Sequence, residues 1–219
     1  MSKKPIRVGK NLKRNRKMEI RRERKEDYRK TENLVREAFW NVYRPGCFEH
    51  LVINKMRNDD CFIPELDYVI EEDGEIVAQI VWAKATVKDG DKCHTVAIFG
   101  PLSVLPTYQG RGYARKLIES TCDMAKDMGY GLVLITGNPD LYHRFGFDSA
   151  DKYGITYEGV PEDMETPFFM CKILDEQKAQ GIKGVYSDPA VYMVEESEVD
   201  EFDKSFVPKV KEKREGQLV

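Results

Sequence analysis

The chain has 219 residues, 41% hydrophobic and 33% charged, with a formal net charge of -3. Eight basic residues and no acidic ones lie between Met1 and Lys17, which leaves 27 basic against 38 acidic residues, a net of -11, in the remainder. An acidic body with a short basic arm excludes a uniformly basic nucleic-acid-binding domain, and no apolar run reaches the roughly 18 residues that a membrane-spanning helix needs.

In chain order, Met18 to Arg22 is a short strand candidate just beyond the basic arm. Lys25 to Trp40 carries Tyr28, Thr31, Leu34, Val35, Ala38 and Phe39 at helical spacing, Pro45-Gly46 breaks the pattern, and Phe48 to Met56 reads as a second helix. Asp67 to Glu71 and Glu75 to Val87 flank Asp73-Gly74, and Asp-Gly between extended segments is the strongest short hairpin signal. A second turn at Lys88 to Lys92 leads into Cys93 to Leu105. Pro101 inside that strand cannot donate to a ladder, so the strand should bulge near Gly100-Pro101.

Gly112 to Met128 has the apolar spacing of a long amphipathic helix ended by Gly129, and Gly131 to Thr136 is continuously apolar, as a strand covered on both faces would be. Asp140 to Phe145 suggests a short helix, and Gly154 to Tyr157 and Phe168 to Leu174 suggest two closing strands. This succession implies an α+β domain on one mixed sheet.

Chemistry concentrates at Leu105-Pro106-Thr107-Tyr108-Gln109-Gly110-Arg111-Gly112-Tyr113-Ala114. A glycine turn that leaves a strand and enters a helix exposes N–H groups without intrahelical partners, and their dipoles favour an anion. Arg111 and Arg115 add charge, so the turn reads either as a pyrophosphate cradle or as a plain tight connection. The segment lacks the G-x-x-x-x-G-K-[ST] of a P-loop and the third glycine of a dinucleotide fold. Cys47, Cys61, Cys93, Cys122 and Cys171 form no C-x-x-C pair and have only three histidines for company, a pattern of neither a zinc site nor a disulfide framework. With no apolar stretch behind the basic N-terminus, the expectation is a cytoplasmic protein without metal.

The turn resembles the Q/R-x-x-G-x-G/A signature of the GNAT superfamily of acetyl-CoA-dependent N-acetyltransferases, with Gln109, Gly112 and Ala114 in its fixed positions. Tyr142-His143-Arg144-Phe145-Gly146-Phe147 is similar to the family's later Tyr-x-x-x-Gly-Phe, and the element order over 18–175 is similar too. The resemblance implies a GNAT-like mixed, mostly antiparallel sheet flanked by helices. Residues 1–17 would be a disordered arm, 18–175 the domain, and 176–219 an extension packed on the domain or on a partner subunit.

Carried over, Leu102, Ser103 and Val104 would offer backbone groups to the pantetheine arm and an N–H to the oxyanion. Gln109, Gly110, Arg111, Gly112, Tyr113, Ala114 and Arg115 would hold the pyrophosphate, and Tyr142 would be the acid that protonates the departing thiolate. Asn138 stands only four residues before Tyr142, closer than in many relatives, so the helix should be a turn shorter and a cofactor contact by Asn138 is the expectation it tests.

Many relatives carry a glutamate on the strand before the turn, where this chain reads Ala97-Ile98-Phe99-Gly100-Pro101-Leu102. Removing a proton from a lysine-like amine at pH 7 costs about 4.6 kcal/mol, so a base or a water relay is needed. Glu49 and His50 are the first candidates, then Glu65 and Asp67. The implied activity is direct acetyl transfer from acetyl-CoA to an amine in a ternary complex, the alternative being an acetyl-CoA-binding regulatory module without turnover. Expected partners are acetyl-CoA and an amine acceptor, with no membrane, no nucleic acid, and a monomeric or homodimeric state. Asn41 to His50 is the segment expected to shape the acceptor pocket. Beyond Asp175, Val185-Tyr186 and Val191 to Val194 suggest an added strand or hairpin, Glu195 to Phe202 a short helix, and Lys209 to Val219 a flexible end.

Overall fold

The structure is a computed structural model and describes residues 17–161 and 164–217. The arm expected at 1–17 lies outside the described residues except for Lys17. Strand β1 (Met18–Arg22) is followed by helices α1 (Tyr28–Phe39) and α2 (Glu49–Met56). Strands β2 (Tyr68–Glu72) and β3 (Glu75–Asp89) then form the expected hairpin. Asp73 and Gly74 both have positive φ, +52° and +88°, as the tight turn between twisted strands requires. β4 (Lys92–Val104) runs back along β3, and its register shifts between the Trp82–Phe99 and Ile80–Leu102 pairs. The bulge expected at Gly100-Pro101 is therefore present, and that peptide bond is cis.

The chain continues through α3 (Tyr113–Asp127), β5 (Leu132–Thr136), α4 (Pro139–Tyr142), β6 (Asp148–Ser149), β7 (Ile155–Tyr157) and β8 (Phe169–Ile173). The extension adds α5 (Glu176–Ala179), β9 (Gly184–Ser187) and α6 (Glu196–Asp203). The sheet order is β1-β2-β3-β4-β5-β8-β6, with β9 paired to both β3 and β7. Among the described residues only β4–β5 and β7–β9 are parallel, so the sheet is mixed and mostly antiparallel.

Both faces are covered. Leu117, Ile118, Cys122 and Ala125 of α3 pack with Ala97, Phe99, Val133 and Ile135 on one face. Val35, Val52, Ile53 and Met56 of α1 and α2 pack with Val96, Ile98, Leu132 and Leu134 on the other. The alternation along β4 and β5 divides these side chains between the two cores, which explains the unbroken apolar run of β5.

Ile155–Tyr157 is a strand of this sheet, as expected, and joins it through β9, to which it runs parallel. Two expectations are corrected. Val191 lies in a 3-10 turn, Ala190–Tyr192, because the following backbone leaves the sheet for α6. The described part of the C-terminal end, 209–217, lies hydrogen-bonded against Trp40 and Asn41 rather than free. Among the described residues no helix is long and apolar enough to cross a membrane.

Candidate active site

The parallel pairing of β4 and β5 is short: Ala97 meets Val133 and Ile98 meets Leu134. Past Ile98 the strands part, since β4 continues along β3 while β5 follows β8. Leu105 N–H still donates to Val77 O of β3 at 2.9 Å. Backbone groups alternate sides along a strand, so Ser103 also faces β3, while Leu102 and Val104 turn their N–H and C=O toward the opening. Of the three residues expected to offer backbone there, Ser103 is therefore removed. It is buried, with its Oγ accepting from Gln79 Nε2 at 3.2 Å.

The opening ends at the glycine turn. Gly110 and Gly112 have φ of +75° and +82°, the left-handed region that favours glycine, and Gly112 forms the N-terminal boundary of α3 without a side-chain cap. The N–H groups of Tyr113, Ala114 and Arg115 open the helix and have no acceptor within it. Side chains around the turn fasten it. Gln109 Nε2 donates to Val104 O at 3.2 Å, and Arg111 Nη2 donates to Thr107 O at 2.9 Å with its guanidinium over the Tyr108 ring. Tyr113 is buried, and its hydroxyl donates to the buried Glu72 at 2.5 Å, so it can offer a ligand backbone only. Arg115 pairs with Glu119 at 3.0 Å and lies 5.0 Å from the Phe145 ring centre, which brings the head of α3 beside the Tyr142 segment.

Tyr142 ends α4, and as expected the helix is short, passing at once into a 3-10 turn at His143–Phe145. Its ring is buried among Phe99, Phe145 and Phe147. Burial first, and the neighbouring Tyr43 phenol second, raise its pKa above that of ordinary tyrosine. Asn138 caps α4, accepting from Asp140 N–H at 2.9 Å, so its side-chain oxygen is already engaged.

The two base candidates separate. Glu49 starts α2 and accepts from Phe48 N–H at 2.9 Å. Burial pushes its carboxyl up, against the opposing effect of these backbone hydrogen bonds and of Arg44. Glu49 in turn raises Tyr43, after burial, and Tyr43 raises Tyr142, also after burial. His50 points the other way. It is fully buried, with Nδ1 3.3 Å from Cys47 Sγ, Nε2 3.1 Å from Asp203 Oδ1, and Phe202 and Phe206 against its ring. Burial lowers its pKa to about 4, partly offset by Asp203. A neutral imidazole sealed beneath α6 is a packing residue, and His50 is withdrawn as a base.

Glu65 lies in the 3-10 turn before β2, and Asp67 is buried beside that strand, its carboxyl raised by burial and then by Glu23. Cys122 is buried on α3 with its thiol pushed up to about 12 by burial, in keeping with a core role. All five cysteines are free, and among the described residues no group of three or more His, Cys, Asp or Glu could hold a metal ion.

Sequence reasoning assigned no role to three further residues. Tyr43 lay within the flagged acceptor segment, but its link to Tyr142 is tertiary. Glu72 anchors Tyr113, and Tyr192 of the extension donates its hydroxyl to Gly100 O at 2.7 Å, where β4 bulges. Nothing local in the sequence announces either contact.

A parallel strand pair splayed above a glycine turn, with a tyrosine at its mouth, defines an acetyltransferase fold of the GNAT type. The profile of the GNAT acetyltransferase domain family matches residues 19–150, and this chain belongs to that family. It is 29% identical over 122 residues to YjhQ of Escherichia coli K12, an uncharacterized N-acetyltransferase, covering 54% of this chain and 67% of YjhQ. It is 32% identical over 80 residues to the uncharacterized N-acetyltransferase YhbS of the same strain, covering 36% of this chain and about half, 47%, of that relative. The fold is similar to the crystal structure of Escherichia coli YhbS in complex with CoA, with TM-score 0.68 and 24% identity over 80% of this chain and 91% of that one. It is also similar to a Brucella melitensis GNAT family acetyltransferase in complex with acetyl-CoA, with TM-score 0.63 and 24% identity over 81% and 99%.

Proposed function

We propose that this chain moves the acetyl group of acetyl-CoA to an amine by direct attack in a ternary complex. The observation that carries this reading is the parting of β4 and β5 beyond Ile98. It leaves the peptide groups of Leu102 and the N–H of Val104 facing the opening, the Val104 C=O being held by Gln109, and leads to the capless head of α3. The CoA and acetyl-CoA complexes of the two structural relatives support acetyl-CoA as the donor. The thioester arm would lie along Leu102 and Val104, and the pyrophosphate against the N–H groups of Tyr113, Ala114 and Arg115, with Arg111 and Arg115 at the rim.

In the reaction the neutral amine attacks the thioester carbon. The oxygen takes up negative charge against an N–H of β4, and the carbon–sulfur bond breaks as the carbonyl reforms. Tyr142 is protonated at neutral pH, as any phenol with a pKa of about 10 or above is, so it can hydrogen-bond the departing thiolate and hand it a proton. Glu49 is the base in this reading, since a carboxyl raised by burial stands closer to the working pH.

The test is calorimetric titration with acetyl-CoA followed by thiol release over a panel of amines. Absence of binding up to about 1 mM, the upper end of ordinary enzyme KM values, would sink the donor assignment. Binding without release for any amine would favour a regulatory module.

A further inference from the structure

Asn41 sits at the exit of α1 with φ +59°, a left-handed conformation that asparagine tolerates, and it is 3% exposed. Each of its polar groups is used. Its N–H donates to Gly46 O at 2.8 Å, and its Oδ1 accepts from Gly46 N–H at 2.8 Å, which closes the loop between α1 and α2 on itself. The remaining bonds go to the C-terminal end of the chain: Nδ2 donates to Val210 O at 3.0 Å, Oδ1 also accepts from Glu212 N–H at 3.1 Å, and the backbone oxygen accepts from Gln217 Nε2 at 3.1 Å.

Neighbouring contacts run along the same line. Trp40 Nε1 shares Val210 O at 2.9 Å, Lys209 pairs with Glu37 at 2.9 Å, and the Lys211 stem covers Gly46, where an added Cβ would meet Cε at 3.1 Å. The loop held in this way carries Tyr43 and delivers Glu49 to the start of α2. Tyr43 itself is 43% exposed, and no hydrogen bond of its own fixes it among the described residues.

We infer that residues 207–217 are a strap that works through Asn41 as a positioning residue. The strap holds the Asn41–Gly46 loop, and so the acceptor side of the site, in register with Tyr142. The inference rests on the acetyl-transfer reading for what the loop does there, but not for the strap itself. A chain without the strap would keep α3, the glycine turn and the β4–β5 opening, because none of the strap's hydrogen bonds or ion pairs reaches them. Donor binding and acceptor binding should therefore respond differently to its loss.

Two variants test this. One ends after Phe206, which preserves the packing of that ring on His50. The other is Asn41→Gly, which keeps the left-handed backbone available and deletes the side-chain links. Amide hydrogen exchange is read over 41–48, acetyl-CoA affinity by calorimetry, and acceptor KM and kcat by thiol release.

Expected in both variants is exchange at least about tenfold faster over 41–48, as the loss of one or two net hydrogen bonds would give, with α3 and β5 unchanged. Acetyl-CoA affinity should stay within about twofold, and acceptor KM should rise about fivefold or more with a smaller change in kcat. Unchanged exchange over 41–48 in both variants overturns the strap, whether or not the protein proves to be an acetyltransferase. Faster exchange with unchanged acceptor KM overturns its role at the acceptor site. Equal weakening of acetyl-CoA binding overturns the separation of the two sides.

Discussion

The ring of Tyr142 lies so close to Gly137 that a Cβ added to the glycine would meet Tyr142 Cε2 at 2.5 Å and Cδ2 at 3.2 Å. The last turn before α4 thus sets the position of the phenol through contact, with no hydrogen bond to its hydroxyl from the described residues. Tyr142→Phe should lower kcat about a hundredfold with acetyl-CoA affinity unchanged, the usual scale for losing a general acid. Gly137→Ala should also lower kcat, although it removes no reactive group, because the ring must move. Steady-state thiol release with calorimetry on each variant checks both, and a fully active Tyr142→Phe removes the acid from the mechanism.

For Glu49 the expectation concerns pH. Burial raises its carboxyl above the ordinary range, and a base must be ionised to work, so kcat/KM should fall on the acid side along a limb set by that raised value. Glu49→Gln should lower kcat/KM and erase the limb. Profiles from pH 5 to 9 decide it: a limb that survives the substitution belongs to another group.

His50 couples stability to acid. Its pKa is about 4 in the folded chain against 6.5 for a free imidazole, because burial outweighs the attraction of Asp203. Between those values the unfolded chain takes up a proton that the folded one refuses, so stability falls as pH drops from about 6.5 to 4, by up to about 3 kcal/mol. His50→Gln should flatten that part of a plot of Tm against pH. If the wild-type and variant curves run parallel, His50 is not the group responsible.

Asp67 acts with the opposite sign. It is buried beside Glu23, and both effects favour its protonated form. The folded chain retains a proton that the unfolded chain has lost above about pH 4, so this group costs stability increasingly as pH rises. Asp67→Asn keeps a donor for Glu23 without that cost. Its Tm should exceed the wild type's at pH 8 and approach it at pH 5. A lower Tm at both values would show that the carboxyl does something an amide cannot.

Where the sequence was informative, the controlling interactions were local. Asp73-Gly74, the Gly110–Gly112 turn, the apolar stripe of α3 and the proline-induced bulge each depend on residues within one turn of one another, and each is found where its pattern places it. The misjudged positions depend on remote partners. His50 looks like a helix-face base until Asp203 and Phe206 close over it, and Arg36 meets Asp203 across 167 positions of chain. Ser103 matches the family pattern by position, yet the bulge at Gly100-Pro101 decides which strand residues face β3 and which face the opening. Tyr43 becomes meaningful only once α1, α2 and α4 are assembled.

The pairing of β9 with β3 at Thr86–Lys88 has a consequence for handling the protein. β2 leaves β3 after pairing with Ile80, and beyond the single bridge from Phe62 to Ala83 it is β9 that satisfies that side of the longest strand. Gly184 is fitted so tightly there that a Cβ would fall 2.0 Å from Lys88 O. A chain shortened to Asp175 would uncover backbone donors and acceptors able to recruit any extended segment nearby. Its first symptom would be clumping during purification, which could easily be mistaken for a domain unable to fold.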